Sequence, residues 1–573
     1  MSLFSALHVG QSGISTSQNA LNTTAHNLSN IETQGYTRQQ VLQSDRVYHN
    51  IGTAAVSTQQ SGLGVAYSKV RQVRDEFLDA SYRKESGREA FYSTCYEVSN
   101  EMEVFLGELT GASFKDALTS LWTSVEELQK DPSSAVTEGQ FVSCASEFLD
   151  RAQGVYQGLV DYQDNLNAKI KDMVTTINEY CDKICEYNDK IGRVEMTPEY
   201  NENTKKLDLA LEEANDLRDA RNQLLDELGA YGNVTYKEDI KGMVTVTFEG
   251  IPIVVPGKGQ PFYMGTTLDP GTGFYTPVWP SYGNKEVFDV NQEISSKMNT
   301  NIGELKSLVL ARGDRRANYT DLEKDVYQTG TTDKMCTSNS IIMNAMAEFD
   351  NLVHKIVTEV NNILAGEKKT IDEGGTPSYT VGAGQTADDV LPMELFVRLG
   401  SDRYKDDGSG TYTYVPEDTS GSPADVSTMY TCSNLKINPD LLKQPTKLGH
   451  PQESFITDDK EVDQSKADQL ANAFSQASLV LNPNVTKTSN FSDLYSDMVS
   501  AVGTSGYIYK TIADSQSATV TSIDNARQQI MGVSSNEELQ NMIKFQNAFN
   551  AASRYINTVN DMIAHVIDRL GNM

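Results

Sequence analysis

No window in the 573 residues approaches the roughly 20 consecutive apolar residues that a bilayer span requires. The opening MSLFSALHVGQSG has neither the basic region nor the apolar run of a secretory signal. These absences predict a soluble chain with no Sec-type export address. Basic residues are scarce, 48 Lys and Arg against 78 Asp and Glu, for a net charge of -30. A field of that sign repels phosphate backbones and anionic surfaces, so neither nucleic acid nor membrane insertion is expected. Cysteine is sparse too: Cys95, Cys144, Cys181, Cys185, Cys336 and Cys432 are scattered, with no Cys-x-x-Cys, which is no disulfide framework for so long a chain. Cys181 and Cys185 lie one helical turn apart without nearby histidines, and read as two small apolar residues on a helix face.

Catalytic signatures are missing as well. There is no glycine-rich phosphate loop, and GTSGY around Ser505 lacks the spacing of a nucleophile elbow. Six histidines stand singly, and His354, among Leu352, Val353 and Ile356, reads as an ordinary histidine on a helix. Asp459, Glu461 and Asp463 are spaced like a calcium loop, but Gln464 stands where the turn needs glycine and Leu470 where the bidentate acid belongs. No enzyme, metal or cofactor is expected. DLEKD at 321–325 and the acidic face of 208–227, with Glu212, Asp216, Arg218 and Arg221, read as solvated faces with local ion pairs.

What is present is helical periodicity at both ends. Leu3, Leu7, Gly10, Ile14, Ser17, Leu21, Thr24 and Leu28 alternate in steps of four and three, a heptad seam in which three of the eight positions are small or polar. Leu539, Met542, Gln546, Phe549, Ser553, Ile556, Asn560, Ile563, Ile567 and Leu570 repeat the design at the other end. Neither seam can hold a lone helix, because most helical stability comes from packing. The two termini are therefore expected to coil against each other or against neighbouring molecules.

At 573 residues the chain exceeds one hydrophobic core. Phe114, Leu118, Leu121, Val125 and Leu128 share a helix face that Asp131-Pro132 ends. Residues 160–191 continue at helical spacing, and another helix follows Pro198 through Leu228. After Gly229, Val244, Val246 and Phe248 alternate between turn signals at Lys241-Gly242 and Glu249-Gly250, which predicts antiparallel hairpins. Helix returns at 301–312 and 340–364, and a Gly, Thr, Tyr and Asp-rich stretch from about 367 to 440 again predicts strands and loops. Helix resumes at SKADQLANAF and near 491–530. The fold class is mainly α with inserted β domains: terminal helices paired as a coiled coil, a helical trunk, and outward antiparallel β insertions. The expected divisions are an N-terminal axial helix and turn (1–50), trunk (51–230), β insertion (231–300), helical return (301–366), second β or variable insertion (367–445), trunk return (446–530) and C-terminal axial helix (531–573).

LNTTAHNLSNIETQGYTRQQ carries Asn27, Leu28, Asn30, Gly35, Tyr36 and Arg38 in an Asn-Leu-x-Asn to Gly-Tyr-x-Arg pattern. IMGVSSNEELQNMIKFQNAFNAASRYINTVNDMI places Glu537, Glu538, Gln546 and Ala548 in a matching closing helix. With these ends the chain resembles the flagellar axial proteins. The internal stretches ANDLRDARNQLLDELGAYGNVTY, GELKSLVLARGD and FDNLVHKIVTEVNNI narrow the resemblance to the hook-associated protein 1 family, at the junction between hook and filament. Two departures stand out: Gln34 precedes Gly35 where family members often have proline, and SSNEEL replaces a more acidic start.

The resemblance implies a self-assembling structural subunit exported by the flagellar type III route, cytoplasmic before export and extracellular after it. Its implied partners are further copies of itself, the hook protein, a second hook-associated junction protein adjoining the filament, and a cytoplasmic export chaperone at the C-terminal segment. The implied interface residues are Leu3, Leu7, Ile14, Leu21, Leu28, Asn30, Gly35, Tyr36, Arg38, Leu539, Met542, Phe549, Ile556, Ile563, Ile567 and Leu570. Within them Gly35 would free the bend, Tyr36 anchor it, and Arg38 reach a neighbour. The alternatives are a rod or hook subunit, or an axial protein whose 367–440 insertion carries adhesin or enzymatic activity. Tyr379, Tyr404, Tyr412 and Tyr414 could form a carbohydrate-binding surface there, although cross-strand packing is the plainer use of such residues.

Overall fold

The computed structural model describes residues 3–45, 49–54, 57–61, 64–107, 113–195, 199–201, 206–208, 214–239, 241–330, 334–365, 378–382, 386–387, 391, 393–419, 426–448 and 464–571. The calcium-like acids Asp459, Glu461 and Asp463, and Glu212, lie outside them. Among the described residues the helices are α1 (Leu3–Ser29), α2 (Glu76–Gly107), α3 (Phe114–Lys130), α4 (Ala135–Glu195), α5 (Asn215–Tyr231), α6 (Glu304–Arg312), α7 (Lys324–Gln328), α8 (Ile341–Leu364), α9 (Pro439–Lys443), α10 (Ser465–Ser475), α11 (Phe491–Met531) and α12 (Ser535–Gly571).

Local chemistry sets several of these boundaries. Ser113 Oγ accepts the Asp116 amide at 3.0 Å while the Asp116 carboxylate accepts the Ser113 amide at 3.3 Å, a reciprocal cap that starts α3. Asp131, just before Pro132, ends it. α4 is longer than the 160–191 periodicity suggested. At 61 residues and 1.5 Å of rise each it spans about 90 Å. It runs without a break because an apolar row from Phe141 through Phe148, Leu159, Leu166, Ile170 and Ile184 stays buried along it.

α2 and α11 pack antiparallel. Arg527 reaches Asp79 at one end, and Tyr495 donates to the Leu106 carbonyl at the other. The core gathers around Phe114 of α3, whose ring meets Phe148 of α4 at 5.4 Å, Phe349 of α8 at 5.0 Å and Tyr495 of α11 at 4.9 Å. Phe114, Leu118, Leu121, Val125 and Leu128 are all buried there. Cys181 and Cys185 are buried, free thiols on α4.

The sheets are small and antiparallel. Val234–Glu238, Val244–Phe248 and Ile251–Val254 form one, with Val244, Val246 and Phe248 turned inward. The hairpin from Phe248 to Ile251 turns on Glu249 and Gly250 at φ 48° and 78°, the left-handed pair that suits a two-residue connection. Gly265–Leu268, Tyr275–Trp279 and Lys285–Glu286 form a second sheet.

Side-chain amides pin these strands along α4. Asn188 donates to the Val244 carbonyl at 2.9 Å and accepts its amide at 3.0 Å. Asn178 does the same for Met264 at 2.8 and 2.9 Å, and Asn167 joins Gly273 and Tyr275 at 3.0 and 2.7 Å. Each amide satisfies backbone groups that a helix surface would otherwise leave unpaired. Asn361 of α8 repeats the device, donating to the Phe396 carbonyl and accepting the Leu395 and Phe396 amides.

The later insertion pairs Phe396–Arg398 with Leu435–Ile437, and sets Ser378–Thr380, Thr411–Tyr414 and Tyr404–Asp406 in one sheet. Its tyrosines pack on each other: Tyr404 meets Tyr379 at 5.2 Å and Tyr414 at 6.1 Å. His354 is buried, its ring stacked 3.7 Å from that of Tyr319 and its Nδ1 3.2 Å from the Tyr430 carbonyl.

Candidate assembly interface

The two termini meet as an antiparallel pair. A Cβ placed on Gly10 of α1 would stand 2.5 Å from Ile556 of α12, and one on Gly13 would stand 3.3 Å from the Ala552 Cβ. Glycine is what lets the helices come so close. Gly10 and Gly13 belong to a row of small or polar residues, Ala6, Gly10, Gly13, Ser17, Ala20, Thr24 and Asn27, spaced four and three apart. All but Gly13 are buried. Gly10, Ser17 and Thr24 of the expected seam belong to this closed face of α1, whereas its large members Leu7, Ile14, Leu21 and Leu28 do not. Leu7, Ile14, Leu21 and Leu28 stand beside it, each half-buried. The sequence shows Gly10, Ser17 and Thr24 as seam positions but pairs them with the large apolar residues; the four-and-three spacing of Ala6, Gly13, Ala20 and Asn27 is the signal that completes the row.

On α12, Met542, Phe549, Ile556 and Ile563 are half-buried, and Val559 is fully buried. Two expected seam residues are not in the seam. Leu539 is 46 % exposed, because its neighbour Glu538 is the residue turned inward, and successive helical side chains point 100° apart. Ile567 is 62 % exposed because α12 outruns its partner. With Gly10 on Ile556, Leu3 two turns earlier stands level with Ile563, and the last turns of α12 project beyond. The side chains of Leu3 and Leu570 lie outside the described residues.

The Asn-Leu-x-Asn to Gly-Tyr-x-Arg segment builds the joint between this pair and the trunk. Asn30 closes the turn after α1, donating to the His26 carbonyl at 3.0 Å and accepting Thr33 Oγ1 at 3.2 Å. Gly35 bends the chain at φ 79°, a left-handed conformation that side chains resist. Asn27 then receives the returning strand Gln39–Asp45: it donates to the Gln39 carbonyl at 2.8 Å, accepts the Gln39 amide at 3.0 Å, and accepts the Tyr36 hydroxyl at 2.8 Å.

Arg38, expected to reach a neighbouring molecule, is engaged within its own chain. Its guanidinium bonds Glu537 at 2.9 Å and Glu538 at 3.0 Å, and its amide donates to the Met531 carbonyl at 2.8 Å. The start of α12 is thus clamped to the exit of α1. Burial and the carboxylates of Asp219, Asp216 and Glu538 raise the Tyr36 hydroxyl well above its ordinary value, so it stays a neutral donor.

The trunk side of the joint is α5, where Asp216 is exposed as expected of a solvated face but Arg218, Asp219, Arg221 and Asp226 turn inward. Asp219 accepts the Thr37 amide at 3.1 Å and Gln72 Nε2 at 2.8 Å, and burial pushes its carboxyl up to about 6. Arg218 bonds Glu195 and Glu238, while Arg221 reaches Glu238, Asn188 and the Gly242 carbonyl. Asp226 joins Arg83 at 2.6 Å and Arg527 at 2.7 Å, and Arg527 also holds Asp79 at 2.9 Å. Likewise Asp321 of the DLEKD stretch is buried against Arg315 at 2.8 Å. The ion pairs assumed to be local are the bolts between α2, α5, α11 and the first sheet, since a charge leaves water only when it finds such partners.

An antiparallel terminal pair joined by a polar bend to a helical trunk is an architecture for building a polymer, and three family models match its parts. Residues 7–37 match the flagella basal body rod protein, 99–376 the flagellar hook-associated protein FlgK helical domain, and 526–569 the flagellar basal body rod FlgEFG protein C-terminal region. The chain is therefore an axial structural protein of the bacterial flagellum. Flagellar hook-associated protein 1 of Bacillus subtilis (strain 168) is 23 % identical over 588 residues, covering 100 % of this chain and 99 % of that one. That of Escherichia coli (strain K12) is 24 % identical and covers 98 % and 99 %. The chain belongs to the flagellar hook-associated protein 1 family. The hook junction protein FlgK from Burkholderia pseudomallei aligns with a TM-score of 0.47 at 14 % identity, over 79 % of this chain and 100 % of that one.

Proposed function

We propose that this chain is the adaptor that links hook to filament, its paired termini forming the inner layer of a tube and its trunk and β insertions the outer layers. The observation behind this reading is the unbalanced burial of α12. One flank closes on α1, while Leu539, Ile543, Tyr555, Met562, Val566 and Ile567 remain exposed. Further copies of the chain supply the missing apolar partner, each contacting the next through a different patch, which generates a helical array instead of a closed dimer. Leu7, Ile14, Leu21, Leu28, Met542, Phe549, Ile556 and Ile563, half-buried in the single chain, become fully buried there. Leu3 and Leu570 extend the same interface. Gly35, Tyr36 and Arg38 set the angle between the layers.

Hook protein contacts one end of this ring and a second hook-associated junction protein the other. Before assembly the chain leaves the cytoplasm by the flagellar type III route, held by a chaperone at the C-terminal segment. The work is structural, with no reaction catalysed. Tyr379, Tyr404 and Tyr414 of the later insertion pack on one another, in keeping with packing and not with glycan capture.

Complementation of a strain lacking the protein tests the proposal. The full chain should restore filaments, and chains lacking 1–40 or 535–573 should leave bare hooks and release flagellin into the medium. Filaments restored by either truncation would end the terminal-layer idea. Calorimetry separates the chaperone claim: the full chain should bind and a chain ending at 530 should not.

A further inference from the structure

One buried carboxyl is used by nothing described so far. Glu348 lies on the core face of α8, 1 % exposed. Its Oε1 accepts Asn482 Nδ2 at 2.6 Å and Asn344 Nδ2 at 3.2 Å. Its Oε2 is buried without a partner, and so is Asn344 Oδ1. The two residues are one turn apart on the same helix and already share one bond, so the two unpaired oxygens are the second edge of a single amide–carboxyl contact. Two acceptors cannot satisfy each other, and a buried polar oxygen left unpaired is costly. A proton on Oε2 resolves both: Oε2–H donates to Asn344 Oδ1 while Asn344 Nδ2 donates to Oε1, closing a cyclic pair.

The geometry points to Glu348 as a proton-binding site, in which a neutral carboxyl paired with Asn344 holds the 479–490 segment against α8 and releases its grip when the proton is lost. That segment leads into α11. Besides Asn482, it is tied to α7 by Gln328 Nε2 donating to Asn484 Oδ1 at 2.6 Å. The groups that face Glu348 are Asn344 of α8, Asn482 of the segment and Tyr327 of α7, whose hydroxyl it raises further above a value already lifted by burial. Among the described residues no Lys, Arg or His forms an ion pair with it. Burial, opposed in part by the two asparagines, pushes its carboxyl up to about 7. The folded chain carries a proton there that the unfolded chain has already released at a lower pH, so the hold weakens as pH rises from the ordinary carboxyl range and is lost by about 7.

The test compares the full-length chain with Glu348→Gln, whose amide can make the same two-edged pair at every pH. In pH-difference infrared spectra, the wild type should lose a protonated-carboxyl carbonyl band with a midpoint near 7 that is missing from the Gln variant. Hydrogen exchange in 479–490, corrected for its intrinsic pH dependence, should accelerate in the wild type by up to about tenfold per pH unit as pH rises toward the midpoint near 7, and level off above it. It should stay flat in the Gln variant. Asn344→Ala removes the partner and should speed exchange already at pH 6. A carboxylate ionised at pH 6, or equal pH profiles in wild type and E348Q, overturns the assignment. Neither result bears on the terminal pair.

Discussion

The trunk and the terminal pair are both helical, but they bury opposite kinds of residue. In the trunk, Phe114, Phe141, Phe148 and Phe349 are fully enclosed, and four helices meet around one ring. In the terminal pair the buried apolar residues among the described side chains are Ala6, Ala20 and Val559, while the larger ones described sit half or mostly in solvent. Burying a large apolar side chain contributes roughly 1.5–3 kcal/mol, against an ordering cost of about 1–2 kcal/mol per residue. A trunk built on that scale can fold alone. A pair that closes on Ala, Gly and Ser gains close approach but little area, and leaves flanks for neighbours to cover in the assembly we propose.

The sharpest way to break the comparison is through the cores themselves. Phe114→Ala should lower trunk stability by about 3–5 kcal/mol, seen as a shifted midpoint in denaturant. Ile556→Ala should move the same midpoint little and weaken self-association instead.

Arg527→Ala comes next. It takes one of two cations from Asp79, 1 % exposed, which keeps Arg74, and from Asp226, which keeps Arg83, so the loss should fall toward the low end of the about 3–5 kcal/mol expected when a buried pair is broken outright. If the loss is below about 1 kcal/mol, these ion pairs are not the bolts that the geometry makes them.

Gly10→Leu forces a side chain into Ile556. Global unfolding should change by less than about 1 kcal/mol, because the terminal pair opens separately from the trunk. Hydrogen exchange should show lost protection in α1 and α12, and assembly should fail.

The smallest effect is a slope. Burial pushes the Asp219 and Asp350 carboxyls up to about 6, so the folded chain holds protons in a window where the unfolded chain has lost them. These two groups therefore remove stability as pH rises from about 4 to about 6. α1 has no carboxylate to titrate. Melting followed by a probe on Trp122 in α3 should show the slope, and the α1 amides should not.

Much of the trunk was legible in the sequence because periodicity is local. The row from Phe114 to Leu128, the alternation from Val244 to Phe248 and the break at Pro132 each depend on residues a few positions apart. The site was legible in outline. Asn27, Gly35, Tyr36 and Arg38 stood out as a pattern, and Gly35 bears the positive φ that the turn requires. Their partners were not legible, since Asp219, Glu537 and Met531 lie about 180 to 500 positions away in the chain. Arg38 was assigned to a neighbour because nothing near it in sequence could pair with it. The charges of α5 were assigned to solvent because ion pairs at three and four residues are the only ones that a sequence displays.

By itself, then, the sequence determined that both ends are weak amphipathic helices, that a long helical trunk lies between them with β segments inserted, and that the whole is acidic. Only the tertiary structure decided which face of α1 closes, that Leu539 and Ile567 stay open, and that single asparagines on α4 and α8 pin the strands. The physical reason is range. Helical and strand periods are set by backbone geometry within a few residues, whereas closing a face or satisfying a buried amide depends on whichever distant group the fold brings within 3 Å.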